Sequence, residues 1–263
     1  MLEMTIGRFP TLEYETKEAF NTLCANLSFV GKDIKKILIT SCRPTEGKSS
    51  VSMELLRSLA GLGMRVVLVD ADIRASALQG RYDIQVNMPE GKTYLGLSRY
   101  LAGYCDVDDI LGATNIRGAY IVLSGRNVTN SLPLISSNRL DKLMDELGKR
   151  FDIVLVDTPP VGAIIDAAKI ARCCDGTLFV VKSGLISKGE LLEAMRQMES
   201  AGSQILGTVL NQFNEKRYGG GYYHKSYYSQ YGNTGRRKKK SHAFSSGGRP
   251  GRKENMGERE LNE

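Results

Sequence analysis

Six short runs of β-branched and aliphatic residues, separated by stretches of helical periodicity, most narrow the folds open to this 263-residue chain. They lie at 37–40 (Ile-Leu-Ile-Thr), 66–69, 120–123, 153–156, 177–181 and 205–210. A half-exposed strand alternates apolar and polar residues. Strands without that alternation must be covered on both faces, as in sheets built from strand-helix-strand crossovers. Helical stretches at about 48–62, 133–149, 163–172 and 187–201 supply the cover. A leading helix over 11–30 adds to it, with Ala19, Phe20, Leu23 and Leu27 in phase and Gly31 at its stop. The expected class is α/β, a parallel sheet with helices on both faces. The segment 75–118, broken by Gly80, Gly91 and Gly103, reads as an insertion near the sheet's binding edge with a short helix near 95–101.

Composition removes several kinds of chemistry. Five cysteines, odd in number and without CxxC spacing, suggest neither a disulfide framework nor a zinc site. The two histidines, His224 and His242, both lie near the C-terminal end, so the expected globular part has no Ser-His-Asp, Cys-His or His-metal constellation. Any reaction there must rest on carboxylates, lysine, backbone amides and a metal ion. No run of about 18 apolar residues occurs, and residues 1–10 lack a signal-peptide layout, so a cytoplasmic chain is expected.

Residues 213–263 hold 12 Lys and Arg against 5 Asp and Glu, which accounts for the whole net charge of +7. Almost no aliphatic residue follows Asn211. The chain is therefore expected to form one domain over 1–212 and a disordered tail over 213–263.

The first candidate site is Ser41-Cys42-Arg43-Pro44-Thr45-Glu46-Gly47-Lys48-Ser49-Ser50, placed between a strand and a helix as a phosphate loop requires. Loop amides and the helix's positive end would surround phosphate, Lys48 would neutralise it, and the Ser49 hydroxyl would ligate Mg²⁺. Cys42 stands where the generic G-x-x-x-x-G-K-[ST] pattern has glycine. An ordinary strand-to-helix turn with a surface lysine is the plainer reading of this loop taken alone.

Two further strands end in acid. The run at 66–69 leads into Asp70-Ala71-Asp72-Ile73-Arg74, and that at 153–156 leads into Asp157-Thr158-Pro159-Pro160. Both lie at the carboxyl edge, where open α/β sheets bind ligands. Asp70 and Asp72 alternate on an extended chain and can face one site, although an aspartate pair after a strand can also cap a helix. Arg74 is open to two readings, a phosphate contact or a structural ion pair. An aspartate at the position of Asp157 typically holds Mg²⁺ directly or through water.

Together, S-x-x-P-x-E-G-K-S, V-L-V-D-A-D-I-R and V-L-V-D-T-P-P resemble Walker A, Walker A′ and Walker B of the bacterial tyrosine kinases of the capsule and exopolysaccharide group. The likeness continues through 96–101, 136–143 and 206–211. It implies a P-loop NTPase-like kinase using ATP and Mg²⁺, with Pro44 to Ser50 and Asn211 binding nucleotide, Asn211 beside the adenine. Lys48, Asp70 and Asp72 would be catalytic, Asp70 orienting or deprotonating the acceptor tyrosine. Ser49, Asp72 and Asp157 would hold the metal.

The tail carries six of the chain's 12 tyrosines, Tyr218, Tyr222, Tyr223, Tyr227, Tyr228 and Tyr231, within 218–231. The basic run 236–240 follows. By composition alone such a segment also suits self-association, nucleic acid or anionic lipid. By resemblance the tyrosines are phosphoacceptors, so no nucleic-acid partner is expected. The resemblance further implies activation by the cytoplasmic segment of a separate membrane-spanning chain-length adaptor, which would place the chain at the inner membrane face, and control of polysaccharide synthesis and export.

The family's leading helix carries E-x-x-R-x-x-R for ring assembly. Glu18, Asn21 and Cys24 align here, so self-association in trans is expected without those ring contacts. Arg43 matches an extra lysine in partition and septum-placement ATPases, which leaves a nucleotide-switched binding protein as the alternative.

Overall fold

The structure is a computed structural model that describes residues 1–31, 33–162 and 165–213. The expected tail features, including 218–231 and 236–240, lie outside the described residues.

The central strands are β2 (Lys36–Ser41), β3 (Val66–Asp70), β6 (Ala119–Val122), β7 (Ile153–Asp157), β8 (Gly176–Lys182) and β9 (Ile205–Asn211). They lie in the order β6-β3-β7-β2-β8-β9 with every neighbouring pair parallel. Three strands extend the sheet beyond β6: β1 (Leu2–Ile6), β4 (Ile84–Asn87) and β5 (Leu111–Thr114). Strand β5 runs antiparallel to β6, β1 parallel to β5, and β4 antiparallel to β1, which makes the nine-stranded sheet mixed. The segment 75–118 is thus largely part of the sheet and its cover, not an insertion. It contributes β4, β5, α3 (Leu78–Arg81) and α4 (Gly96–Leu101).

Each central strand divides its side chains between two cores. Leu38, Val67, Val69, Val154 and Val156 face one layer, and Ile37, Ile39, Val66, Leu68 and Leu155 face the other. On the second side lie α1 (Tyr14–Val30) and α2 (Lys48–Gly61). The first side carries α4, α5 (Leu132–Ile135), α6 (Asn138–Arg150), α7 (Asp166–Ala171) and α8 (Lys188–Ser200). Helix α6 buries Leu140, Leu143, Met144 and Leu147, the i, i+3, i+4, i+7 stripe of a helix packed on one face. The helix expected at 133–149 is broken at Ser136 and Ser137, so α5 and α6 are separate.

Strand β1 sits between β4 and β5 and buries Met4 and Ile6. Removing residues 1–7 would leave both neighbours with an open edge. Such a truncation is expected to lower the melting temperature and speed amide hydrogen exchange at 84–87 and 111–114. Residues 153–157, paired on both sides by β2 and β3, should keep their protection.

Candidate active site

Because β7 lies between β3 and β2, the three expected motifs end side by side at the carboxyl edge of one sheet. The phosphate loop leaves β2 and enters α2 at Gly47, whose φ of 90° is left-handed. Thr45 is also left-handed, at φ 66°, so the loop turns its amides in the manner of an anion-binding nest. Gly47 has a second reason to lack a side chain: a Cβ there would lie 2.1 Å from Asn211 Nδ2. Among the described residues no side chain caps the amino end of α2, and its first-turn amides can serve a ligand.

The loop is held from behind by a fully buried carboxylate. Glu46 accepts hydrogen bonds from the Arg43 amide at 2.6 Å and the Lys182 amide at 3.3 Å, tying the loop to its own start and to β8. Asn211 Nδ2 donates to the Glu46 carbonyl at 2.9 Å. Its expected place beside a base is compatible with this position over the loop. Val161 and Gly162 donate to the carbonyls of Ser41 and Cys42. Cys42 itself is buried; burial and the neighbouring Glu46 and Glu190 push its thiol up to about 12, so it serves as a small apolar filler. Pro44 and Thr45 are exposed. The Ser50 hydroxyl receives a hydrogen bond from Arg81 at 3.3 Å.

Lys48 Nζ lies 3.9 Å from Asp72 Oδ2. Asp72 also accepts from the Ala75 amide at 3.1 Å, which holds the turn after β3, and it caps no helix, since α3 begins only at Leu78. Asp70 and Asp157 face each other in register across β3 and β7, 1% exposed each. Burial, and then the Asp157 charge, push the Asp70 carboxyl up to about 7. Asp157 is also raised, chiefly by burial, with Lys48 and hydrogen bonds from Ser49 and Ser52 opposing the rise. Ser52 Oγ lies 3.3 Å from Asp157 Oδ1.

The site therefore brings together Lys48, Ser49, Asp70, Asp72 and Asp157. Arg74 belongs elsewhere. Its Nε donates to the fully buried Asp166 at 2.9 Å and to Ser131 at 2.7 Å, and Nη1 reaches the Thr129 carbonyl at 3.2 Å, which is the structural ion-pair reading. Arg43 is likewise committed, bidentate to Glu190 at 2.5 and 3.1 Å. Sequence reasoning missed Ser52, Ser76 and Ser124. The first had a signal, since it stands one helical turn after Lys48. Ser76 and Ser124, which donate to Asp70 Oδ2, had none.

A divalent cation fits this donor set. Asp70 Oδ1 is buried without a hydrogen-bond partner among the described residues, and two serine hydroxyls converge on Asp157. Among the described residues no cluster of three or more Asp, Glu, His or Cys would enclose a metal. Mg²⁺ commonly takes the rest of its ligands from phosphate and water.

The native Asp70 carboxyl keeps its proton to about pH 7, whereas an unfolded aspartate loses it near 4. Ionisation thus costs the folded state alone, and the stability due to this group falls as pH rises from about 4 to 7, by on the order of 4 kcal/mol as an upper bound. Asp70→Asn is expected to raise the nucleotide-free melting temperature at pH 8 and to change it little at pH 4. Equal effects at the two pH values in thermal scans would contradict this assignment.

Comparison with known proteins agrees with this geometry. The AAA domain family model matches residues 34–206. A tyrosine-protein kinase CpsD of Streptococcus agalactiae is 37% identical over 226 residues, covering 86% of this chain and 93% of that protein. The kinase domain of the Escherichia coli tyrosine kinase ETK superposes with a TM-score of 0.67 at 27% identity, over 75% of this chain and 77% of that one. The septum site-determining protein MinD of Pyrococcus horikoshii, solved with Mg-ADP, shares the fold with a TM-score of 0.55 at 21% identity, over 69% and 71% of the two chains. With its three motifs on one sheet edge and a CpsD relative matched over nearly its whole length, the chain belongs to the bacterial tyrosine kinase family.

Proposed function

We propose that this chain is an ATP-dependent protein-tyrosine kinase that phosphorylates its own terminal tyrosines and thereby regulates capsular or exopolysaccharide synthesis and export. The carrying observation is the convergence of Lys48, Asp72 and the Asp70–Asp157 pair at the mouth of the phosphate loop. Phosphoryl transfer needs alignment of acceptor and leaving oxygens and neutralisation of developing charge, and this arrangement can supply both.

In this reading, residues 44–50 cradle the phosphates through backbone amides, Lys48 places a positive charge against them, and Asn211 borders the base. Ser49, Asp72 and Asp157 hold Mg²⁺, which when bound neutralises phosphate charge. Asp70 accepts the proton of the incoming tyrosine, and its elevated proton affinity suits a base working near neutral pH. The acceptors are Tyr218, Tyr222, Tyr223, Tyr227, Tyr228 and Tyr231, reached within one molecule or between copies. Each phosphate would add about −1.5 to −2 charges to a basic segment.

The family resemblance supports an activating partner, the cytoplasmic segment of a membrane-spanning chain-length adaptor. Among the described residues no helix is long and apolar enough to cross a membrane, so attachment to the inner membrane face would come through that partner. The nucleotide-switched alternative rests on fold alone, and the Arg43 side chain that suggested it is paired with Glu190.

Purified chain given Mg²⁺ and ATP, with and without the candidate adaptor segment, is expected to form phosphotyrosine within 218–231, read by mass spectrometry. Lys48→Met should reduce it by at least about a hundredfold, as expected for loss of a preorganised charge on the phosphates. ATP hydrolysis without phosphotyrosine in either condition would favour the nucleotide-switched protein.

A further inference from the structure

Helix α3 sets a cation against the phosphate loop. Its last residue, Arg81, is exposed and donates from Nη1 to the Ser50 hydroxyl at 3.3 Å, in the first turn of α2. The fold fixes this approach. Leu78 and Tyr82, on either side of Arg81, are buried, and the Tyr82 ring packs on Phe9 with centroids 5.5 Å apart. The carbonyls of Tyr82 and Asp83 accept from the Arg8 and Gly7 amides at 3.0 Å each, which ties the end of α3 to the chain leaving β1. The Gln79 side-chain amide donates to the Ile84 carbonyl at 3.2 Å.

A guanidinium is a fork of N–H donors, and among the described residues the one partner of this fork is a neutral hydroxyl. Glu54, one turn further along α2, already holds Arg57 at 2.5 and 2.9 Å. The charges nearest in the chain to Ser50 have the sign of Arg81 itself: the positive end of α2 and, two residues earlier, Lys48. Such a placement disfavours the empty site, and an anion seated between these groups reverses that. We propose that Arg81 is a further nucleotide-binding residue, and that its ligand is a phosphate that stays on the nucleotide, not the one transferred. The inference rests on the reading of residues 44–50 as the phosphate cradle. The direction of each side chain decides which phosphate it meets. Lys48 and Ser49 turn toward Asp72 and Asp157, where that reading puts the transferred group and its cation, whereas Ser50 turns toward α3. Arg81 therefore holds ATP and ADP alike and takes no part in bond making.

The test compares Arg81→Ala and Arg81→Lys with the unaltered full chain, by calorimetry with Mg-ADP and by thermal scans without nucleotide. Losing a charge-assisted contact to phosphate at an exposed side chain is expected to weaken Mg-ADP binding about tenfold in Arg81→Ala. Arg81→Lys, which keeps the charge but not the fork, should bind within about threefold of the unaltered chain. In the phosphotyrosine assay KM for ATP should rise with the Mg-ADP dissociation constant, and the loss at saturating ATP should be small beside it. Nucleotide-free melting temperatures should coincide, because Leu78 and Tyr82 anchor α3 without Arg81. Mg-ADP affinity in Arg81→Ala equal to that of the unaltered chain would overturn the proposal. A melting temperature lowered in step with affinity, as much in Arg81→Lys as in Arg81→Ala, would make Arg81 a structural tie between α3 and α2 and overturn it equally. Failure of the unaltered chain to bind Mg-ADP would remove the phosphate-cradle reading, and the role of Arg81 with it.

Discussion

Asp70 and Asp157 end neighbouring parallel strands in direct register, so two carboxyl groups are buried about one strand spacing apart, roughly 4.8 Å between backbones. Like charges that close, out of water, are not stable together unless something lowers the charge. Much of the surrounding site answers that problem. Lys48 and two serine hydroxyls favour ionisation of Asp157, while burial and the Asp157 charge keep a proton on Asp70 toward neutrality against the hydrogen bonds from Ser76 and Ser124, which favour its charged form. A sheet built only for stability would have no reason to end two adjacent buried strands in aspartate. A divalent cation bound there would relieve the remaining repulsion.

The phosphate loop meets the same constraint from the other direction, since it must leave its amides unpaired toward a ligand and still stay rigid. Rigidity therefore comes from the far side. Glu46 is fully buried and accepts from two backbone amides, Asn211 closes over the Glu46 carbonyl, and the turn after β7 donates to Ser41 and Cys42. These contacts draw on β2, β7, β8 and β9, so the loop's shape depends on the order of the sheet. Cys42 fits the same logic. It lacks a left-handed φ, and its thiol fills apolar space in the core, so the glycine of the generic motif is not needed there.

What could be read from sequence was whatever is dictated locally. The six central strands are continuous apolar runs because both faces are covered, and such runs are unmistakable. β1, β4 and β5 are short, and β1 and β4 bury only alternate positions, so their 4 or 5 residues look like any loop until the pairing partner is known. The same holds in the site. Lys48, Asp70, Asp72 and Asp157 sit at motif positions, whereas Ser124 reaches Asp70 across 54 residues of chain and Glu190 reaches Arg43 across 147. For Arg74, sequence left a phosphate contact and an ion pair equally open. Only the fold, by bringing Asp166 and Ser131 beside it, decides between them.

The departure in the leading helix also has a physical reading. In the resembling family the positions of Asn21 and Cys24 carry arginines that make ring contacts. Here Asn21 donates to Glu18 one turn earlier on the exposed face, and Cys24 is 2% exposed among the residues that join α1 to α2. An arginine at position 24 would have to bury its guanidinium in that core, close to the Glu54 carboxylate, or shift the helix, and a buried cation is costly to hold unless it is paired. The residue at position 24 is thus coupled to how α1 packs. Position 24 serves the core of this domain, while position 21 stays at the surface and pairs within its own helix.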